Sequence, residues 1–304
     1  MNEFSMKPWP ALADKAFYLK LGSEEGIFYF DTGPPAAGPS SAPAFVLIHG
    51  LGDEADTWRH VFAQIAAAGY RVIAPDLPGF GRSVWKGKIS IRVHRKAILR
   101  LLAETGAASA DNPAALIGSS LGAGIAQLAA ARRPDLVKSL VLIGGCVPLA
   151  GKVEKGMLLM GFFGRRWYRA FRANHEGAWK SLYPYYGDLD AMSAEDREFL
   201  RQRVIARVES DNQERGYFSS LRSTNAFFLF GMRAAAQKIK TFTGNILLIW
   251  GERDNIVPQQ KTALFRSLRP DARFALIPGA GHLPHQEKPA ETAAEMLRFL
   301  PEAT

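Results

Sequence analysis

The chain has 304 residues, 47% hydrophobic and 22% charged, an ordinary balance for a globular protein that excludes intrinsic disorder, collagen-like repeats and disulfide scaffolds. The one cysteine, Cys146, can form neither an intrachain disulfide nor a metal cluster; no stretch is apolar enough to span a bilayer, and Glu3, Asp14 and Lys15 interrupt the N-terminus where a secretory signal needs an apolar run. The formal charge is +9, without a Lys/Arg block longer than two, a zinc-finger spacing or an RNP-type pattern, so nucleic acid is not an expected partner and a cytoplasmic location is expected.

Taken in chain order, Tyr18–Leu21 and Ile27–Phe30 predict an N-terminal hairpin, and Pro34–Pro43, rich in Gly, Pro, Ala and Ser, predicts a loop. Six short β-branched or leucine-rich runs follow: Phe45–Ile48, Arg71–Ala74, Ala114–Ile117, Ser139–Ile143, Ile246–Trp250 and Arg273–Ile277. Each stops close to Gly or Pro, as strands buried on both faces of a parallel sheet do. Helical patterns over Thr57–Ala68, Ile89–Glu104, Leu121–Arg132 and Pro258–Leu268 separate them. The alternation predicts an α/β fold with a mostly parallel, doubly wound sheet.

The alternation stops after Ile143 and resumes at Ile246. The residues between are aromatic-rich and helical in pattern over Met157–Ala173, Ala194–Val208 and Tyr217–Ala236. The expected division is a core of residues 1–148 and 241–304 and a helical cap of residues 149–240. Insertions at the carboxyl end of such a strand commonly wall a ligand site. Residues 150–240 carry 16 Lys and Arg against 10 Asp and Glu. That surplus is expected on solvated helix faces, with attraction to anionic lipid or substrate as the alternative.

Gly118-Ser119-Ser120-Leu121-Gly122 fits G-x-S-x-G, with a predicted strand before it and a helix after it. In that setting the central serine, Ser120, sits on a sharp turn with its hydroxyl exposed. A serine hydroxyl needs a base to become nucleophilic, and the base needs an orienting acid. His282, in the Gly-rich loop after the last predicted strand, is the candidate base, with His285 its competitor. Asp254, directly after the strand Ile246–Trp250, is the candidate acid, with Glu252 as the local alternative. The order Ser120, Asp254, His282 is the one expected of this hydrolase architecture. His49-Gly50-Leu51-Gly52 follows the strand Phe45–Ile48, and the amides of Leu51 and Leu121 are the candidate oxyanion donors. His49 itself is expected to be structural.

These motifs together resemble the α/β-hydrolase superfamily from Phe17 to Leu300. His49–Gly52 is similar to its oxyanion loop, Asp76–Ser83 to its D-x-P-G-x-G-x-S loop and Gly118–Gly122 to its nucleophile elbow. Gly251–Pro258 is similar to the G-x-x-D-x-x-x-P acid loop and Gly279–Pro289 to the G-x-G-H-x-x-x-x-E-x-P histidine loop. The resemblance implies a serine hydrolase of the esterase and lipase type, needing neither cofactor nor metal, acting on a small-molecule ester as a monomer or homodimer. Ser120 stands where haloalkane dehalogenases and epoxide hydrolases carry aspartate. Leu283 stands where carbon–carbon bond hydrolases commonly have an aromatic residue, and Leu51-Gly52 departs from the H-G-G-P-G of proline iminopeptidases. Carboxylic-ester hydrolysis is therefore expected; carbon–carbon or amide hydrolysis by the same triad, and a non-catalytic binding protein, are the alternatives. In the cap, Met157–Phe163 and Phe227–Phe230 are expected to form the cap core or line an apolar pocket. Arg165, Arg166, Trp167 and Arg169 beside them also fit transient lipid contact, and Tyr183, Tyr185 and Tyr186 could offer hydroxyls to a pocket.

Overall fold

The computed structural model describes residues 6–34, 42–149 and 155–299. Eight strands form one sheet in the order β1-β2-β4-β3-β5-β6-β7-β8. They are β1 (Ala16–Lys20), β2 (Gly26–Asp31), β3 (Phe45–Ile48), β4 (Val72–Pro75), β5 (Ala114–Ser119), β6 (Val137–Ile143), β7 (Asn245–Gly251) and β8 (Arg273–Ile277). β1 and β2 pair as an antiparallel hairpin and β2 runs antiparallel to β4; every later pairing is parallel. The expected hairpin and six core strands are thus present, with ends shifted by a residue or two. Residues 35–41 of the expected Pro34–Pro43 loop lie outside the described residues.

Strand side chains alternate between two apolar layers, which explains the unbroken hydrophobic runs. Val46, Ile48, Leu116, Leu140, Leu142 and Leu248 face one layer, shared with Ile98, Leu101, Leu102, Ile125 and Phe265. Phe45, Leu47, Ile117, Val141, Ile143 and Ile249 face the other, against Trp58, Val61, Phe62, Ile65, Met296 and Phe299. The core helices are α1 (Arg59–Ala67), α2 (Ile91–Thr105) and α3 (Leu121–Arg132). Ser90 caps α2 by accepting the Val93 amide, and Gly106 ends it at φ 62°, a left-handed position that glycine adopts without a Cβ penalty. The small residues of α3 let it lie close to the strands, with Gly122, Ala123, Ala126 and Ala129 all buried.

Between β6 and β7 come α4 (Lys155–Ala170), α5 (His175–Lys180), α6 (Ala194–Glu209), α7 (Asp211–Phe230) and α8 (Met232–Lys240). After β7 the chain adds α9 (Ala263–Leu268), α10 (Pro284–Glu287) and α11 (Pro289–Phe299). Ser193 and Ser210 cap α6 and α7 through the amides of Asp196 and Gln213. The helix expected over Tyr217–Ala236 begins six residues earlier, at the Ser210 cap, and is interrupted at Gly231. The start of Pro258–Leu268 is a 3-10 turn, Gln259–Thr262, before α9.

Most Lys and Arg of the insertion lie on exposed or half-exposed faces, as expected, but Arg203 and Arg207 instead join it to the core through carboxylates. Arg207 of α6 binds Glu54 at 2.7 and 2.8 Å and also Asp53. Arg203, one turn earlier, lies 3.4 Å from Asp56. Across the same interface Arg59 binds Asp196 at 2.6 and 2.8 Å. Burial opposes ionisation of Glu54, but Arg207, with Arg203 and Arg82, outweighs it and holds the carboxyl at about 2 against an ordinary 4.5.

Candidate active site

Ser120 lies between β5 and α3 at φ 52°, the one non-glycine residue with positive φ among the described residues. Its amide donates to the Ile143 carbonyl at 2.8 Å, and its carbonyl accepts the Ala123 amide at 3.1 Å. The flanking glycines are there for close approach: a Cβ on Gly118 would overlap the Gly122 carbonyl, and one on Gly122 would overlap the Ile48 carbonyl oxygen. Such a turn costs on the order of 1–3 kcal/mol, which the surrounding sheet has to offset. It leaves the side chain half-buried at the carboxyl edge of the sheet. Leu121 is the first residue of α3, so its amide belongs to a helix N-terminus, whose partial positive charge suits a developing oxyanion.

The loop after β3 approaches the same point. A Cβ on Gly50 would stand 3.4 Å from Ser120 Cβ, which places Leu51 in the adjoining turn. His49 fastens this loop: its Nδ1 donates to the Gly50 carbonyl at 2.8 Å, and its Nε2 accepts the Leu77 amide at 2.8 Å. Accepting at Nε2 makes the ring neutral, and burial lowers its basicity further. His49 is therefore structural, as expected. Behind it the Asp76–Ser83 loop is a closed network. Asp76 accepts from the Ala55 amide (2.7 Å), the Arg82 amide (2.8 Å) and Arg82 Nε (2.8 Å). Arg82 also binds Asp56 and lies 3.9 Å over the Phe28 ring.

Asp254 and His282 meet across the ends of β7 and β8. Nδ1–H of His282 donates to Asp254 Oδ2 at 2.8 Å, both side chains being buried. The other oxygen, Oδ1, accepts the amides of Ile256 and Val257, each at 2.9 Å. The carboxylate is thereby fixed in its plane, and it in turn fixes the tautomer that leaves Nε2 free to accept a proton. Gly144 and Gly145, just past β6, separate the pair from the serine. A Cβ on Gly144 would lie 3.0 Å from His282 Nδ1, and one on Gly145 would lie 2.6 Å from the Ser120 carbonyl oxygen. Ser120 and His282 therefore flank one glycine dipeptide.

Both competitors are placed elsewhere. Glu252 accepts the Gly279 amide at 2.9 Å, bracing the histidine loop from outside. His285 faces Thr57 Oγ1 at 3.0 Å and packs 4.2 Å from the Trp58 ring. Burial first, then His282 and Arg59, push its pKa down to about 3, so it stays neutral. Of the three tyrosines, Tyr183 bonds Asp190 on the surface and Tyr186 is buried against Gln286. Tyr185 alone reaches the site, its ring 6.0 Å from the imidazole.

Several contacts at the site were not foreseen from sequence. The Tyr185 carbonyl accepts the His282 amide at 2.7 Å. Glu287 binds the amides of Gly281 and Gly187, each at 2.7 Å, and of Asp188 at 3.1 Å. Its place in the histidine-loop motif was the available signal. Tyr217 of α7 covers the His49–Gly52 loop, with a ring atom 3.1 Å from where a Gly52 Cβ would be. Gln213 beside it donates to the Gly52 carbonyl and accepts the Gly81 amide, both at 2.9 Å.

Residues 43–289 match the family described as alpha/beta hydrolase fold. Lipase 1 of Psychrobacter immobilis is 26% identical over 300 residues, covering 92% of this chain and 82% of that one. A 2-hydroxy-6-oxononadienedioate/2-hydroxy-6-oxononatrienedioate hydrolase of Paraburkholderia phymatum is 29% identical over 295 residues, with 93% of each chain covered. The solved structure of a thermophilic esterase from Thermogutta terrifontis superposes with a TM-score of 0.74 at 20% identity, over 95% of this chain and 98% of that one, a likeness of fold.

Proposed function

Since the chain belongs to the α/β hydrolase fold family, we propose that it is a serine hydrolase that cleaves carboxylic esters of small to medium apolar substrates. The reading rests on one observation: a buried aspartate–histidine pair, its tautomer fixed, stands across a glycine dipeptide from a serine held on a strained strand–helix turn. Ser120 Oγ attacks the ester carbonyl while His282 Nε2 takes its proton. Asp254 holds the imidazole and stabilises its cation. The amides of Leu51 and Leu121 receive the oxyanion, a contribution of about 3 kcal/mol for one donor in comparable sites. His282 then protonates the departing alcohol, and water repeats the sequence on the acyl-enzyme. The division into a core (residues 1–148 and 241–304) and a cap (residues 149–240) belongs to this reading, with Tyr185 and Tyr217 as the cap's contributions to the site.

Initial rates on p-nitrophenyl esters of increasing acyl length, with Ser120→Ala as control, test the proposal. Turnover lost in the variant supports it, and the chain-length optimum sizes the acyl pocket. Carbon–carbon bond hydrolysis is the second reading, favoured by the Paraburkholderia relative. Cleavage of a vinylogous diketo acid with no turnover of any ester would select it. A folded wild-type chain that cleaves neither and takes no fluorophosphonate label at Ser120 refutes both.

A further inference from the structure

The excess charge of the chain is concentrated in two stretches of the insertion. Residues 155–173 and 222–240 hold nine Lys and Arg and no Asp or Glu, while the rest of the chain holds 29 of each sign. The two stretches are neighbours in space, because α4 and α7 pack antiparallel. Asn225 Nδ2 donates to the Met157 carbonyl at 3.0 Å, and Arg169 at the far end of α4 binds Glu214 at 2.8 Å. The helices meet through Gly161 and Gly164, both buried. A contact made by glycines turns the large residues outward: Phe162 is 70% exposed, Phe163 76% and Phe230, five residues beyond Asn225, 85%. Leu159 and Leu229 are exposed with them, so these five positions do not form the expected cap core, while Phe227 of the same runs packs against the core. Arg166, one turn after Phe162, and Arg233, three residues after Phe230, are exposed and form no ion pair with any described residue. Arg165, Arg169 and Arg172 share Glu214, and Arg172 also meets Asp211.

We propose that this end of the insertion docks on an anionic lipid surface, with Phe162, Phe163 and Phe230 in the headgroup–acyl boundary and Arg166 and Arg233 on lipid phosphates. Charge complementarity selects this occupant. A second copy of the chain would set Arg166 and Arg233 against the same cations of its partner. A nucleic acid would match the cations but leave Leu159 and Leu229 facing phosphate. Among the described residues no helix is long and apolar enough to cross a membrane, so the contact is peripheral. The proposal does not rest on the hydrolase reading.

The test is cosedimentation of the full chain, carrying Ser120→Ala so that lipid is not turned over, with vesicles of equal parts phosphatidylglycerol and phosphatidylcholine and with phosphatidylcholine alone. Partition is expected on the anionic vesicles, and F162S/F163S and R166E/R233E should each reduce it about tenfold or more. Raised salt should weaken it as well. All four positions are exposed, and melting curves of the variants check that they fold. Equal partition on both vesicles, none on the anionic ones, or binding indifferent to both double variants overturns the proposal. A concentration-dependent dimer abolished by F162S/F163S would assign the face to a second copy, and oligonucleotide binding in place of vesicle binding would assign it to nucleic acid; either overturns it.

Discussion

Replacing Asp254 by Asn exchanges one oxygen for an NH2 group at constant shape, and the surrounding donors decide which way the new amide turns. Oδ1 holds the amides of Ile256 and Val257. An asparagine keeps its carbonyl there, because presenting NH2 instead would leave two buried N–H groups unpaired, at about 1–3 kcal/mol each. The NH2 then faces His282 and donates to Nδ1, which forces the imidazole proton onto Nε2. Ser120 is left without an acceptor for its proton. The alternative rotamer is less populated by at least about 2 kcal/mol, roughly a thirtyfold bias, and it also lacks the charge that stabilises an imidazolium. The expected result is a loss of about 10⁴ in kcat, close to 5 kcal/mol of barrier, with KM little changed and a melting temperature within a few degrees of wild type. The assay is the initial rate on the best p-nitrophenyl ester, beside the double variant with Glu252→Gln. A folded Asp254→Asn enzyme within about tenfold of wild type would refute the tautomer argument; a further loss on adding Glu252→Gln would move the acid to Glu252.

Ser120→Ala and Ser120→Gly should both abolish turnover, but the glycine variant should melt higher by a few degrees, because only glycine relieves a φ of 52°; equal melting would mean that the turn is unstrained. Gly122→Ala drives a methyl group into the Ile48 carbonyl and should cost about 1–3 kcal/mol or prevent folding, read by denaturant unfolding. Arg207→Met leaves Glu54 and Asp53 buried without their main partner and should cost about 3–5 kcal/mol at neutral pH. Glu54 has a folded-state pKa of about 2, below its ordinary 4.5, so its stabilisation is present above 4.5 and is lost as pH falls toward 2. In Arg207→Met that folded pKa rises, and acid unfolding should begin at higher pH; an unchanged acid limb would show that the pair does not set it.

The sheet was legible because its strands are buried on both faces, so each appears as a short apolar run ended by Gly or Pro. Ser120, Asp254 and His282 were legible for a related reason: each directly follows such a run, and the carboxyl ends of parallel strands lie along one edge. The insertion was harder to read. Met157–Phe163 is apolar all round, and the two glycines that make the contact carry no hydrophobic signal, so the outward direction of Phe162 and Phe163 was hidden. Arg203 and Arg207 failed in the opposite sense. Spaced four apart, they share a face with Leu200, Val204 and Val208, and helical spacing does not tell a buried arginine with carboxylate partners from a solvated one. Those partners, Glu54 and Asp56, are about 150 residues away in the chain.

The backbone contacts around His282 bear on how proteins of this architecture are recombined. The segment from Tyr185 to Asp188 supplies one carbonyl to the His282 amide and two amides to Glu287, whose other oxygen holds Gly281. None of these bonds depends on a cap side chain, so they constrain the path of the grafted main chain rather than its sequence. A transplanted insertion that only matched the rim of the sheet would leave His282 on a slack loop. A chimera that retains His282 in register has to reproduce the main-chain path of residues 185–188, whatever side chains it carries there.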